Sequence, residues 1–179
     1  MEEAPKNAIG FLTIVENATH GLFGGYLLLN PAGRPMEFHC TAPVKPNRAQ
    51  QILYGPTLKP YLYGEQIATA LICKSRIQPQ VVFFNQSCAM CARGSMNVPM
   101  VLVEKGEGNG NTDPSTSPEG KLLWRNLKLS ALPEFPDDYD VVRKCLQNRL
   151  IDFDLLEPFG RICDAIAEAQ KAAGQTGAA

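Results

Sequence analysis

The sequence lacks the features that mark membrane-spanning, nucleic-acid-coating and disulfide-stapled proteins. No apolar run approaches the roughly 20 residues that a transmembrane helix requires. Lysine and arginine (17) are balanced by aspartate and glutamate (18), which excludes a general phosphate-coating protein but not a local basic patch. The first residues contain no apolar core of a secretory signal, so we expect a cytoplasmic protein with reduced cysteines.

Complete catalytic motifs are also missing. Histidine is scarce, with only His20 and His39, and no Gly-x-Ser-x-Gly elbow accompanies either of them. The glycine-rich stretch at residues 106–110 lacks the lysine and the following helix of a phosphate-binding loop. These absences favour a binding protein over an enzyme, although they leave the question of catalysis open.

Hydrophobic periodicity predicts a single α+β domain over residues 8–173. Residues 8–15, 22–30 and 36–44 are expected to form an N-terminal antiparallel three-stranded meander. Helices follow at residues 48–54, capped by Asn47, and at 58–74, capped by Thr57. Further strands of a mixed sheet are expected at residues 80–85, 98–103 and 122–130, and two C-terminal helices at 139–150 and 153–173, the last capped by Asp152.

Three segments are predicted to be disordered or flexible. They are the tails at residues 1–7 and 174–179 and the loop at residues 105–120, which has no aromatic or aliphatic side chain to anchor it. Within the predicted second strand, Gly24-Gly25 indicates a bulge or a close approach of another backbone, and its edge is a candidate interaction surface.

The most distinctive local pattern is Cys88-Ala89-Met90-Cys91, a Cys-x-x-Cys after a predicted strand. Two thiols at this spacing can form a disulfide or ligate one tetrahedral metal. Residues 81–91 resemble the strand and dithiol of thioredoxins, which implies redox chemistry, but only six residues separate Cys91 from Val98, where that family inserts a long helix. The plainer alternative is that both thiols only pack.

Zinc is the cofactor that this cysteine pair would suit. A structural zinc site needs two more ligands, and the candidates are Cys40 and His39 on the third predicted strand. Adjacent strand residues point to opposite faces, so only one of the two could join a given site. The four cysteines outside the Cys-x-x-Cys pair are expected, in the plainer interpretation, to be buried among apolar residues. They are Cys40, Cys73, Cys145 and Cys163.

The order strand, strand, strand, helix, strand resembles that of ribonuclease H-like domains. The resemblance implies a nucleic-acid-binding fold in which clustered carboxylates, one of them on the first strand, hold a divalent metal. Here the first predicted strand contains no carboxylate, Glu16 lies beyond its end, and Asn85 stands where another acid would be needed. A nuclease built on this pattern would be disabled.

A basic, tyrosine-rich segment at residues 43–66 is the leading candidate for partner binding. Interleaved cations and aromatic rings are typical of surfaces that bind an acidic partner or stack nucleobases. The candidate residues are Lys45, Arg48, Tyr54, Lys59, Tyr61 and Tyr63. The alternative is that the tyrosines fix helices to the sheet.

Three functional hypotheses follow. The first is a non-catalytic binding or assembly module that presents the basic tyrosine-rich segment to a protein partner or to another copy of itself. The second is a metal-binding or dithiol redox protein that acts through Cys88 and Cys91. The third is a nucleic-acid-binding domain with ribonuclease H-like topology that lacks catalytic carboxylates; it is the less favoured of the partner-binding alternatives.

Overall fold

The computed structural model describes residues 7–106 and 110–176, without the side chains of residues 175 and 176. The strands are β1 Ile9–Asn17, β2 Gly21–Leu29, β3 Pro35–Cys40, β4 Val81–Phe84, β5 Met100–Lys105, β6 Ser115–Thr116, β7 Leu122–Trp124 and β8 Leu127–Ser130. The α-helices are α1 Arg48–Tyr54, α2 Leu58–Pro60, α3 Thr69–Lys74, α4 Asp137–Gln147 and α5 Glu157–Thr176. A π-helical segment, Tyr61–Ala68, joins α2 to α3, and 3₁₀ segments occupy Gly55–Thr57 and Ser87–Ser95. No helix in the described part of the chain is long and apolar enough to cross a membrane.

All eight strands form one mixed sheet in the order β3-β2-β1-β4-β5-β8-β7-β6. The predicted antiparallel meander is confirmed, since β2 pairs antiparallel with both β1 and β3. β4 pairs parallel with β1 and with β5, so three neighbouring strands run in the same direction at the centre of the sheet. The α+β fold class predicted from the sequence is therefore correct.

Helices cover both faces of the sheet. On one face, Leu62, Ile67 and Leu71 of the π-helical segment and α3 pack on Leu12 and Phe84. On the other face, α4 and α5 bury residues such as Val142 and Ile162 against the opposite side of the same strands. Because both faces are covered, the central strands read as nearly continuous apolar runs rather than as alternating ones.

Gly24-Gly25 lies inside the sheet, because β3 rather than β2 forms the edge. A Cβ atom on Gly24 would lie 2.1 Å from a methyl group of Ile67, and one on Gly25 would lie 2.2 Å from a methyl group of Ile162. The close approach that the sequence predicted is present, with a helix on each face. The idea that this pair forms an exposed interaction edge is wrong.

Several predicted boundaries differ from the structure for local reasons. The single strand expected at residues 122–130 is a hairpin of β7 and β8 that turns at Arg125, whose φ of 52° is left-handed. Asp152 does not cap α5, because its carboxylate pairs with Arg125 at 3.0 Å and the helix begins at Glu157. Thr57 is not a side-chain cap either; its hydroxyl donates to the carbonyl of Tyr54 at 2.7 Å.

The segments predicted to be flexible are only partly described. Residues 1–6, 107–109 and 177–179 lie outside the described part of the chain. In the remainder of the long loop, Ser115–Thr116 pairs with β7, and the carbonyl of Thr112 accepts a hydrogen bond from the indole of Trp124 at 2.9 Å. α5 extends to Thr176, three residues past the predicted helix end at 173.

Candidate functional site

The carboxyl ends of the three parallel strands β1, β4 and β5 meet at one edge of the sheet. In α/β sheets, ligands bind in the crevice outside the carboxyl ends of the strands. Here a cleft of about 600 Å³ opens between the end of β1 and the helical segments, and Glu16, Leu58, Lys59 and Tyr63 are among its lining residues. We call this space the carboxyl-end cleft. A smaller hollow of about 270 Å³ continues from Lys59 and Tyr63 past Asn85 to the end of β5.

Glu16 lies inside β1, because the strand continues to Asn17. The prediction that Glu16 lies beyond the end of the first strand is wrong. The hydroxyl of Tyr63 donates a hydrogen bond to its carboxylate, and the ammonium of Lys59 lies 3.1 Å from the same oxygen. Both contacts favour the ionised form, so the pKa of Glu16 is lowered, mainly by Tyr63 and then by Lys59. Burial and the neighbouring carboxylate raise the pKa of Tyr63, so this phenol remains a hydrogen-bond donor at neutral pH.

The ends of β1 and β4 are tied together by Gln86. Its side-chain oxygen accepts from the amide of Ile14 at 2.9 Å, and its side-chain nitrogen donates to the carbonyl of Ile14 at 2.8 Å. The side-chain amide therefore extends the β1–β4 ladder beyond Phe84, where the backbone pairing ends. The backbone amide and carbonyl of Ile14, which an unpaired strand end would present to a ligand, are therefore already hydrogen-bonded to Gln86.

The acidic groups at this edge do not fit a divalent metal site. Glu16 is held by Tyr63 and Lys59, and the residue that follows β4 is Asn85 rather than an acid. Over residues 7–106 and 110–176, no group of three or more histidine, cysteine, aspartate or glutamate side chains could hold a metal ion. The described residues at this edge therefore do not assemble the carboxylate cluster that ribonuclease H-like nucleases use.

Part of the basic tyrosine-rich segment lines the carboxyl-end cleft, through Lys59 and Tyr63 among others. Tyr54 and Tyr61 stack on each other with ring centroids 4.1 Å apart and planes inclined by 18°. The ammonium of Lys45 reaches the carbonyl of Thr19 at 3.4 Å, which places it beside the β1–β2 turn. The capping box of α1 is complete, since Asn47 accepts from the amide of Gln50 at 2.8 Å and the Gln50 side chain accepts from Asn47 in return.

The other candidate residues of this segment differ in whether their side chains are free to contact a ligand. The guanidinium of Arg48 donates to the side chain of Gln51 at 3.4 Å, and the residue is exposed. Lys59 is paired with Glu16 and lies 5.1 Å from the ring centroid of Tyr63. Tyr63 is 2% exposed, so its ring packs in the core, while its hydroxyl donates to Glu16 at the cleft.

The backbone that carries Tyr61 and Tyr63 is π-helical. Such segments are rare and frequently occur at functional sites. The amide and the hydroxyl of Thr69 both bond the carbonyl of Gly64, the hydroxyl at 3.0 Å, which closes the wider turn. Sequence periodicity did not predict this segment, because it sits inside an apolar pattern that an ordinary helix also satisfies.

Cys91 packs against the π-helical segment. A Cβ atom on Gly64 would lie 2.0 Å from its Sγ, and the thiol donates to the carbonyl of Pro60 at 3.2 Å and to that of Cys88 at 3.3 Å. Desolvation is the main cause that raises the pKa of Cys91, with smaller contributions from Glu65 and Cys88. Because the thiolate is the reactive form, a raised pKa opposes dithiol chemistry.

The remaining predicted zinc ligands lie on the edge strand β3. The Nε2 of His39 lies 2.9 Å from the carboxylate of Glu37, which also accepts hydrogen bonds from the hydroxyl of Ser75 and the backbone amide of Arg76. Among the four cysteines predicted to be buried, only Cys145 is; the others are exposed, and they are Cys40, Cys73 and Cys163. Zinc binding through Cys88, Cys91 and either Cys40 or His39 stays a prediction.

No protein-family model and no curated protein sequence matches the chain. The crystal structure of human endonuclease V is similar, with a TM-score of 0.55 and 16% identity over 93% of this chain and 86% of that one. The chain has an endonuclease V-like fold. This result confirms the predicted ribonuclease H-like topology, and at this level of identity it describes the fold alone.

Two further solved structures are more distantly similar. Ciona intestinalis endonuclease V, in complex with a 24mer DNA containing an inosine followed by a ribo-adenosine, matches with a TM-score of 0.46 and 13% identity over 78% of this chain and 77% of that one. The catalytic domain of human endonuclease V carrying four cysteine substitutions matches with a TM-score of 0.42 and 12% identity over 92% and 84% of the two chains.

Proposed function

We propose that this chain is a non-catalytic nucleic-acid-binding domain that holds a single strand along the carboxyl-end cleft. The observation that carries the proposal is the position of the basic tyrosine-rich segment. Its residues Lys59 and Tyr63 line a cleft of about 600 Å³ outside the carboxyl ends of three parallel strands of the mixed sheet, a position where α/β proteins commonly bind ligands. The similarity to human endonuclease V supports a nucleic acid as the partner.

The chemistry of the basic tyrosine-rich segment suits a single strand better than a duplex. Tyr54 and Tyr61 already stack, and an unpaired base could extend that stack with its own π-face. Lys45, beside the β1–β2 turn, and Arg48, exposed on α1, belong to the same segment and can neutralise phosphates. Binding would therefore depend weakly on sequence and strongly on salt.

The cleft itself argues for binding without cleavage. Lys59 and Tyr63 engage Glu16, and the Gln86 amide is committed to the backbone of Ile14. Asn85 supplies no charge at the end of β4. Phosphodiester hydrolysis on a metal would require acids in these positions.

Binding can be tested by fluorescence anisotropy with a short fluorescein-labelled DNA oligonucleotide. Arg48→Ala should weaken binding and reduce the salt slope by about 0.7, and Tyr54→Ala should cost roughly 1–3 kcal/mol. Lys171→Ala is the matched control, because Lys171 is an exposed cation on α5 that pairs with Glu168 at 2.8 Å. Equal affinities for the Arg48→Ala and Lys171→Ala variants would refute the proposed interface.

Cleavage is measured on the same samples. Incubation of labelled single-stranded DNA and RNA with the protein and Mg²⁺ should leave both intact. Cleavage that disappears in a Glu16→Gln variant would show that the domain is catalytic. The anisotropy data test the binding proposal separately.

Self-association is a second candidate function, favoured by α1. This helix has no buried residue, and its apolar side chains Ile52 and Leu53 are 65% and 82% exposed. Burial of both against a second copy of the chain would remove apolar surface from water. Sedimentation across a concentration range should then show a dimer that Leu53→Ser abolishes, whereas a monomer at every concentration would exclude this candidate.

A further inference from the structure

Lys59 is the cation of the basic tyrosine-rich segment that lines the carboxyl-end cleft. Among the described residues around this cleft it is the single lysine or arginine, and Glu16 is the single acid. Lys59 also lines the smaller hollow that continues toward the end of β5. A nucleic-acid strand that entered either space would therefore pass this ammonium group.

The folded chain already provides Lys59 with an anion. Its ammonium lies 3.1 Å from Oε1 of Glu16, and the hydroxyl of Tyr63 donates to the same oxygen. Because the ring of Tyr63 is buried in the core, its hydroxyl holds the carboxylate in a fixed position. The ammonium also lies 5.1 Å from the centroid of that ring, within the range of a cation–π contact. Side chains from β1, α2 and the π-helical segment thus meet at one point of the cleft.

The ion pair contributes little to the stability of the fold. The side chains of Lys59 and Glu16 are 58% and 62% exposed, and pairs at that exposure are weak in water. Their main electrostatic effect falls on ligands, since a phosphate that approached Lys59 would also lie beside the carboxylate and be repelled by it. Lys45 and Arg48, by contrast, form no ion pair with any acid in the described part of the chain.

We propose that Glu16 competes with the nucleic-acid backbone for Lys59 and keeps this lysine from contacting phosphate in the unmodified chain. The inference rests on the proposed nucleic-acid binding and adds a regulation of the same site. Lys45 and Arg48 contact the phosphates, whereas the bases and sugars, which carry no charge, can approach the part of the cleft beside Glu16. Lys59 is then a third phosphate contact that becomes available only when the charge of Glu16 is removed.

The test measures the affinity for a fluorescein-labelled single-stranded DNA by fluorescence anisotropy at several salt concentrations. Glu16→Gln keeps the size of the side chain and an oxygen that can accept from Tyr63, but it removes the charge. Binding at low salt should tighten about five-fold, and the slope of the logarithm of affinity against the logarithm of salt concentration should steepen by about 0.7, the value for one more phosphate.

Asp152→Asn is the matched control. It removes one negative charge from another exposed ion pair, with Arg125 at 3.0 Å, and Asp152 lines neither the carboxyl-end cleft nor the smaller hollow. This variant should leave the salt slope unchanged. The double variant Glu16→Gln with Lys59→Ala should return the slope to that of the unmodified chain, because the cation gained by the first substitution is removed by the second.

The outcomes separate this inference from the proposed function. Equal slopes for Glu16→Gln and Asp152→Asn, or a steeper slope that persists in the double variant, would overturn the competition for Lys59 while binding itself stands. Absence of binding by both the unmodified chain and the Glu16→Gln variant would refute the proposed function and this inference together. Circular dichroism checks that every variant folds.

Discussion

A buried ion pair fixes the 3₁₀ segment Ser87–Ser95, which borders the smaller hollow beside the carboxyl-end cleft. The carboxylate of Asp138, at the start of α4, accepts from the Nε and Nη2 of Arg93 at 2.8 and 3.1 Å and from the amide of Met100 at 3.0 Å. The guanidinium also donates to the carbonyl of Met96 at 2.7 Å and stacks 4.0 Å from the ring centroid of Phe135. The charged side chains are only 13% and 3% exposed.

Removal of the acid from this pair should be costly. Asp138→Ala would leave the guanidinium of Arg93 buried without a counter-charge and the amide of Met100 without an acceptor, at a cost of about 3–5 kcal/mol. For a domain of this size, that corresponds to a fall in Tm of about 10 °C. Urea unfolding followed by the fluorescence of Trp124, the single tryptophan, measures the free energy of unfolding directly.

Two further variants make this prediction specific. The double variant Asp138→Leu with Arg93→Met replaces the pair by apolar side chains and should recover most of the loss. Lys171→Ala breaks an ion pair with Glu168 whose side chains are about 70% exposed, and should change stability by less than about 1 kcal/mol. A loss below about 1 kcal/mol in Asp138→Ala would refute the assignment of this pair as a structural anchor.

Three other substitutions test contacts around the sheet. Gly64→Ala should destabilise by about 1–3 kcal/mol because its Cβ would meet the Sγ of Cys91, and adding Cys91→Ala should recover part of that loss; no recovery would contradict a packing role for the thiol. Tyr63→Phe should raise the pKa of Glu16 toward its ordinary value, as measured by NMR titration. Because the pKa of Glu16 is lowered in the folded state, the stability that this carboxylate contributes is lost as the pH falls through its folded-state pKa. An unchanged pKa in the variant would exclude the hydrogen bond. Gly25→Ala should destabilise by about 1–3 kcal/mol in urea, and a neutral result would contradict the close approach of α5.

Local patterns predicted much of the fold correctly. The meander followed from apolar runs broken by turn residues, and α1 was predicted with its observed bounds from Asn47 as its N-cap; the structure adds that Gln50 completes a capping box. The hairpin of β7 and β8 was missed because the first residue of its Arg125-Asn126 turn is an arginine with left-handed φ, where asparagine or glycine gives the usual signal. Ser115–Thr116 was missed because a polar strand at a sheet edge has no apolar pattern.

The site was harder to predict because its contacts are distant in the sequence. Glu16 and Tyr63 are separated by 47 positions, and only the folded chain shows that the tyrosine is buried while its hydroxyl reaches the acid. Gln86 gave no signal at all, since its role depends on the parallel register of β1 and β4. The basic tyrosine-rich segment could be found because its composition is unusual over a short stretch of chain.

The salt dependence of oligonucleotide affinity tests the central claim most directly. If Lys45 and Arg48 each contact one phosphate of a single strand, the logarithm of the association constant should fall against the logarithm of salt concentration with a slope of about −1.4. Replacement of both by alanine should bring the slope close to zero while the fold is retained. A flat response in the unmodified chain, or the same slope in the double variant, would contradict the account.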